Sequence, residues 1–256
     1  MERLPVTLDD VTTGYTHGRE MVEVSRGLSA TLPAGRLTCL LGRNGAGKST
    51  LLRTLAAFQK PLGGRIMIGD KDLAGLTPAE LARMTGVVLT DRIQARELTV
   101  GELVALGRAP YTDTWGRMDA GDREAVGRAM EMASVTAMAA RRVASLSDGE
   151  RQRVMIAKAL AQETPVILLD EPTAFLDYPA KVEIMLLLCT LASEGGRTVM
   201  LSTHDVELAM QTCEHVWLLD RNSGLTEGSP ADIDLGSAFG SAHLRYDRAT
   251  RTFRVI

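Results

Sequence analysis

Gly42-Arg43-Asn44-Gly45-Ala46-Gly47-Lys48-Ser49-Thr50 decides the fold. A glycine, four residues, then Gly-Lys-Ser is the spacing of a phosphate-binding loop. The loop follows an apolar strand candidate, Leu37–Leu41, and opens a helix predicted over Ser49–Phe58, which is the context the pattern requires. The glycines let the backbone curl until successive N–H groups converge on phosphate oxygens. The helix N-terminus adds its dipole. Lys48 offers a mobile cation for the outer phosphates of a nucleotide, and Ser49 a hydroxyl for a magnesium ion. A turn that needed only glycine would have no use for Lys-Ser at that offset.

Working outward, short β-branched and leucine-rich runs alternate with helical spacing. This predicts an α/β fold, a P-loop nucleoside-triphosphatase core around a largely parallel sheet. Its strands are expected at Arg36–Leu41, Val87–Leu89, Val166–Asp170, Thr198–Ser202 and His215–Leu219. Pro5–Val11, Leu28–Leu32 and Arg65–Ile68 suggest a smaller antiparallel β subdomain. From Thr99 to Arg142 the chain is rich in Ala, Met, Glu and Arg with helical spacing, which predicts an inserted α-helical subdomain. The expected organisation is one domain over residues 1–256. The core spans 1–98 and 143–243, the insert 99–142, and a C-terminal hairpin 244–256.

Of the 256 residues, 45% are hydrophobic, enough for a sizeable core. A net charge of -3 gives no overall basic field for nucleic acid. Cys39, Cys189 and Cys213 are dispersed in apolar runs, which predicts buried thiols rather than a disulfide framework or metal site. The N-terminus lacks the pattern of a signal peptide, and no apolar run approaches the length of a membrane span. Work at a membrane would therefore pass through a partner.

Val166–Asp170 ends in two carboxylates, Asp170 and Glu171. Strand carboxyl ends form the ligand crevice of such sheets. There Asp170 is placed to hold magnesium and Glu171 to polarise an attacking water, which fits hydrolysis. Leu146-Ser147-Asp148-Gly149-Glu150-Arg151-Gln152 begins another helix, with capping-box spacing between Ser147 and Glu150. A capped start rich in Ser and Gly also reads as an anion site.

These segments together resemble the ATP-binding cassette family, over essentially the whole chain. Leu146–Gln152 is similar to its signature sequence, with Ser147 lying 99 residues after Lys48. Ala174-Phe175-Leu176-Asp177 resembles the D-loop, His204 the switch histidine, and Tyr15 the aromatic that stacks on adenine. The resemblance implies a homodimer of ATP-binding subunits, packed head to tail. Each ATP, with Mg2+, would sit between one loop and the signature of the other subunit, here Ser147 and Gly149. His204 would touch the γ-phosphate and Asp177 would cross the interface.

Two departures stand out. The family's glutamine after the Gly86–Leu89 strand is replaced by Asp91, with Gln94 three residues late. Asp91 can still ligate magnesium but cannot donate a hydrogen bond when ionised. In the signature, Asp148 and Glu150 stand for glycine and glutamine. The segment from Thr99 through Leu106-Gly107-Arg108-Ala109-Pro110-Tyr111 is similar to importer cassettes for iron-siderophores, haem and cobalamin. An amphipathic helix with ordinary stop chemistry would read the same way. The importer reading implies integral-membrane permease subunits docked near Asp91–Tyr111 and an extracytoplasmic substrate-binding protein. It also places the chain at the cytoplasmic face of the membrane. Two other readings stay open: a soluble cassette ATPase in cofactor assembly, and a P-loop kinase or GTPase. Glu171 and His204 speak against the second.

Overall fold

The computed structural model describes residues 3–17, 20–89, 97–113, 115–221, 223–241 and 243–256. The chain opens with β1 (Val6–His17) and β2 (Glu20–Leu32), followed by β3 (Leu37–Leu41) and α1 (Lys48–Leu55). It continues through β4 (Gly63–Ile68), β5 (Lys71–Asp72), α2 (Pro78–Met84) and β6 (Thr85–Val88). Next come α3 (Val100–Ala105), α4 (Ala120–Met132), α5 (Asp148–Ala161) and β7 (Val166–Asp170). α6 (Tyr178–Ser193), β8 (Thr198–Ser202), α7 (Val206–Thr212), β9 (His215–Asp220) and β10 (Gly224–Gly228) follow. The chain closes with α8 (Leu235–Phe239), β11 (Leu244–Asp247) and β12 (Thr252–Val255).

The main sheet has the order β10-β9-β3-β8-β7-β6, parallel except for the β9–β10 edge. Because strand side chains alternate, each strand feeds two cores. Leu37, Cys39, Leu41, Ile167, Leu169, Val199 and Leu201 face the side covered by α5 and α6. Leu40, Val166, Leu168, Met200 and Trp217 face α1 and the antiparallel sheet β2-β1-β4-β5. This double burial explains why the strands read as unbroken apolar runs. β3 lies between β8 and β9, so the loop after it leaves from the middle of the sheet, beside the ends of β7 and β8.

Three elements differ from the sequence expectation, the first being β1, which runs on to His17 instead of ending at Val11. β2 begins at Glu20 rather than near Leu28, because only Leu28, Ala30 and Leu32 alternate into the core and the rest is solvated. α1 ends at Leu55, three residues short of Phe58. Phe58 N–H donates to Arg53 O at 2.9 Å and Ala57 N–H to Thr54 O at 3.0 Å. This is a Schellman turn with Ala57 in the left-handed region, φ 56.

The two ends of the helical segment, at Leu98–Val100 and Arg141–Val143, are hydrogen-bonded to each other. Val100 N–H donates to Arg141 O and Val143 N–H to Leu98 O, each at 2.9 Å. α3 and α4 pack on α5, and Val100, Leu103 and Ala129 share one core with Val154, Ala157 and Leu160. Within Leu106–Tyr111, Gly107 and Arg108 are buried while Leu106 is half exposed. A Cβ on Gly107 would lie 2.2 Å from Lys158 O, so only glycine lets this turn meet α5. The three cysteines, distant in sequence, converge beneath β3. All are free, and Cys189 Sγ donates to Thr212 O at 3.3 Å. Burial pushes the Cys189 thiol up to about 11.

Candidate nucleotide site

The loop from Gly42 to Gly47 wraps over the end of β3. A Cβ on Gly42 would sit 2.4 Å from Leu219 O, and Gly47 adopts φ 104 with Val24 2.7 Å from where its Cβ would be. These positions admit only glycine. Inside the curl, Ala46 N–H donates to Arg43 O at 3.0 Å. α1 then starts with no side-chain cap on its first-turn amides. By contrast α2, α3, α4 and α5 each begin with a capping box. An uncapped, dipole-bearing helix start beside a glycine cradle is suited to an anion.

Lys48 is buried, and its Nζ donates to Gly42 O at 2.8 Å and Arg43 O at 3.4 Å. Burial pushes its ammonium pKa down, while Glu171 and Asp170 pull it back up. The carboxylates sit at the end of β7. Ser202 Oγ donates to Asp170 Oδ1 at 2.6 Å, and Glu171 N–H donates to Ser202 Oγ at 3.0 Å. Glu171 adopts φ 49, a left-handed conformation that is uncommon outside glycine and concentrates at functional sites. Its carboxylate pairs with His204 Nε2. Behind His204, Asp205 accepts from Lys181 Nζ at 3.0 Å and Thr173 Oγ1 at 3.3 Å, tying this turn to α6.

A cleft of about 480 Å³ joins these groups. Its lining includes Tyr15, half exposed on β1, the loop residues Asn44, Gly45, Gly47, Lys48, Ser49 and Thr50, and Glu171 and His204. Gly42, Arg43, Asn44 and His204 also line an adjoining hollow of about 360 Å³. Ser147, Gly149 and Asp177 are not among the residues lining either space. Ser147 caps α5, and a Cβ on Gly149 would be 3.8 Å from Ala180, near the start of α6. Asp177 caps α6 through Ala180 N–H at 3.1 Å. Asp91 and Gln94 lie outside the described residues.

The acidic departures in the signature are neutralised locally. Arg151 Nη1 pairs with Asp148 at 2.8 Å, and Arg141 Nη1 with Glu150 at 2.6 Å. Glu150 also accepts from Ser147 N–H at 2.8 Å. Arg141 and this cap hold the Glu150 carboxyl below its ordinary range. No motif in the sequence marks Arg221. It lines the cleft and its Nε donates to Gly45 O at 2.7 Å.

The doubly covered parallel sheet, the glycine cradle and the paired Glu171–His204 at the strand ends define an ATP-binding P-loop ATPase. A family profile described as ABC transporter matches residues 25–174. The chain belongs to that family, as an ATP-binding subunit. It is 36% identical over 225 residues to the ferric enterobactin transport ATP-binding protein FepC of Escherichia coli (strain K12), covering 88% of this chain and 82% of that one. It is 34% identical over 206 residues to the iron(3+)-hydroxamate import ATP-binding protein FhuC of Bacillus subtilis (strain 168), covering 80% and 77%. Among solved structures, the dimeric post-hydrolysis cassette MJ0796 bound to ADP and Pi superposes with a TM-score of 0.73 at 30% identity, covering 88% of this chain and 98% of that chain.

Proposed function

We propose that this ATPase energises import of a ferric chelate, of the siderophore or hydroxamate class, through a membrane permease supplied by a binding protein outside the cytoplasm. The similarity to FepC and FhuC supports this cargo class. Among the described residues no helix is long and apolar enough to cross a membrane. The subunit would therefore reach the cytoplasmic face through its permease.

The observation that carries the mechanism is the Glu171–His204 pair facing the uncapped start of α1 across one cleft. Tyr15 offers a face for the adenine. The amides of Gly45 to Thr50 and the Lys48 ammonium receive the phosphates. Glu171 accepts a proton from the attacking water, and His204 orients that carboxylate and donates toward the outermost phosphate. Ser49 and Asp170 would hold Mg2+, which supplies positive charge beside the phosphate oxygens.

Ser147, Gly149 and Asp177 serve a second copy of the chain. Beside them Phe175 is 86% exposed and Tyr178 62% exposed, an apolar rim that suits a subunit interface. A cassette of this family is dimeric in the MJ0796 structure. ATP binding the closed pair better than the open one turns nucleotide turnover into a population shift.

Glu171→Gln tests the assignment. With magnesium-ATP the variant is expected to keep nucleotide affinity, double in mass by light scattering, and lose phosphate release by roughly 10²–10³. Phosphate release at the wild-type rate would remove Glu171 from the chemistry.

A further inference from the structure

We propose that Gln59 is a positioning residue that locks the base-side strand of the cleft to the phosphate-side helix. The proposal rests on the ATP reading above. Gln59 does not line the cleft. Its amide Nε2 donates to Gly14 O at 3.1 Å, to Thr54 Oγ1 at 2.9 Å and to Thr50 O at 3.3 Å. Gly14 is the neighbour of Tyr15 on β1, and Thr50 is the last residue of the phosphate loop. One side chain thus touches both halves of the site.

The chemistry of the pocket selects a donor. Thr54 Oγ1 spends its own proton on Thr50 O at 2.8 Å, so all three atoms facing Gln59 are acceptors. Two amide protons serve them, with Thr50 O, the farthest, sharing one. A carboxylate of the same shape would place oxygen against oxygen. The left-handed turn at Ala57 brings Gln59 back from the end of α1 to this point.

The need for a tie comes from β1 itself. Its pairing with β2 shifts register between Thr13 and Gly14, immediately before Tyr15. Such bulges re-aim the side chain that follows. Leu62 N–H holds Thr12 O at 2.8 Å on the near side of the bulge. Gln59 holds the far side, where β2 is exposed and half of Tyr15 faces solvent. Without it, no side-chain hydrogen bond among those described ties the strand beyond the bulge to α1.

The test compares affinity for magnesium-ATP with affinity for magnesium-tripolyphosphate, in the full chain carrying Gln59→Leu or Gln59→Glu. The tie predicts tripolyphosphate binding within about twofold of wild type and ATP binding weakened roughly five- to tenfold, the worth of one lost hydrogen bond. Adding Gln59→Leu to Tyr15→Ala is expected to cost nothing further, since both act through the same base contact. Unchanged ATP affinity overturns the proposal. So does an equal loss for both ligands, which would mean a disordered loop rather than a misplaced ring. If Gln59→Leu does not fold, Gln59→Glu decides by the same comparison. Absence of ATP affinity in the wild type would instead sink the nucleotide reading, and this proposal with it.

Discussion

Arg221 shows what a single residue does to a loop whose composition was legible. The curl of Gly42–Thr50 could be read from its spacing, because glycine, lysine and hydroxyl each have a local reason to be there. What keeps the curl facing inward could not. Arg221 is 176 residues from Gly45 in sequence and has no motif of its own, yet its Nε donates to the Gly45 carbonyl at 2.7 Å. That bond ties the Gly45 carbonyl to the end of β9 and so restrains the curl. Arg221→Ala is expected to raise the KM for ATP roughly fivefold, the loss of about one hydrogen bond, with kcat within about twofold. Steady-state phosphate release against ATP concentration checks this, and an unchanged KM would show that the loop holds itself. Asp148, a departure from the signature pattern, has its partner close by: Arg151, three residues on, binds it at 2.8 Å.

At the scale of elements, the helices divide by how they treat their own first turn. Thr77 and Glu80, Thr99 and Glu102, Asp119 and Asp122, and Ser147 and Glu150 close reciprocal capping boxes on α2, α3, α4 and α5. α1 has none, so its amides are left for a ligand. The Ser147 box was readable from its spacing. The same spacing at Thr77 and Thr99 is as plain, but α2 is short and buries no residue fully, so no apolar periodicity announces it. The strands were legible for the opposite reason, since burial on both faces makes them apolar throughout. Bonds to the caps hold the carboxyls of Glu80 and Glu102 below their ordinary range, as Arg108 and the cap do for Asp122 and Arg141 and the cap for Glu150. The folded state thus binds protons less readily than the unfolded chain. The resulting stabilisation is complete above the ordinary carboxylate range, about pH 4.3, and is lost as pH falls through the lower folded values. Ser147→Ala is expected to cost about 1 kcal/mol near neutrality. The acid-sensitive half of the box belongs to Glu150→Gln, whose gap from wild type in urea unfolding should narrow under acid, where the wild-type carboxyl is protonated too. A gap independent of pH would deny the carboxylate its part.

For the whole molecule, the question is what fixes the helical segment against the sheet. In the Leu106–Tyr111 stretch, Arg108 is buried and Tyr111 packs on it, while Leu106 stays half exposed. Arg108 Nε donates to Asp122 at 2.8 Å, and its Nη1 donates to Ala161 O at 2.8 Å and Glu163 at 2.9 Å, so one buried guanidinium joins α4 to the end of α5. Tyr111 lies against it at 4.0 Å and donates to Gln162 O at 2.9 Å. Gln162 in turn donates to Thr85 O at 3.2 Å, at the start of β6. The chain of contacts runs from the helical segment into the sheet without a gap. Burying a guanidinium is costly, and removing it is costlier still when its carboxylate partner stays behind. Arg108→Ala is therefore expected to lower the melting temperature by roughly 6–12 °C. The double variant Arg108→Met with Asp122→Leu, which removes both charges and fills the space, should recover most of that loss. The decisive comparison is then ATP-driven uptake with the permease present. If the junction only stabilises, the double variant transports like wild type. If the charged junction also carries motion, it stays folded and hydrolyses ATP while uptake falls.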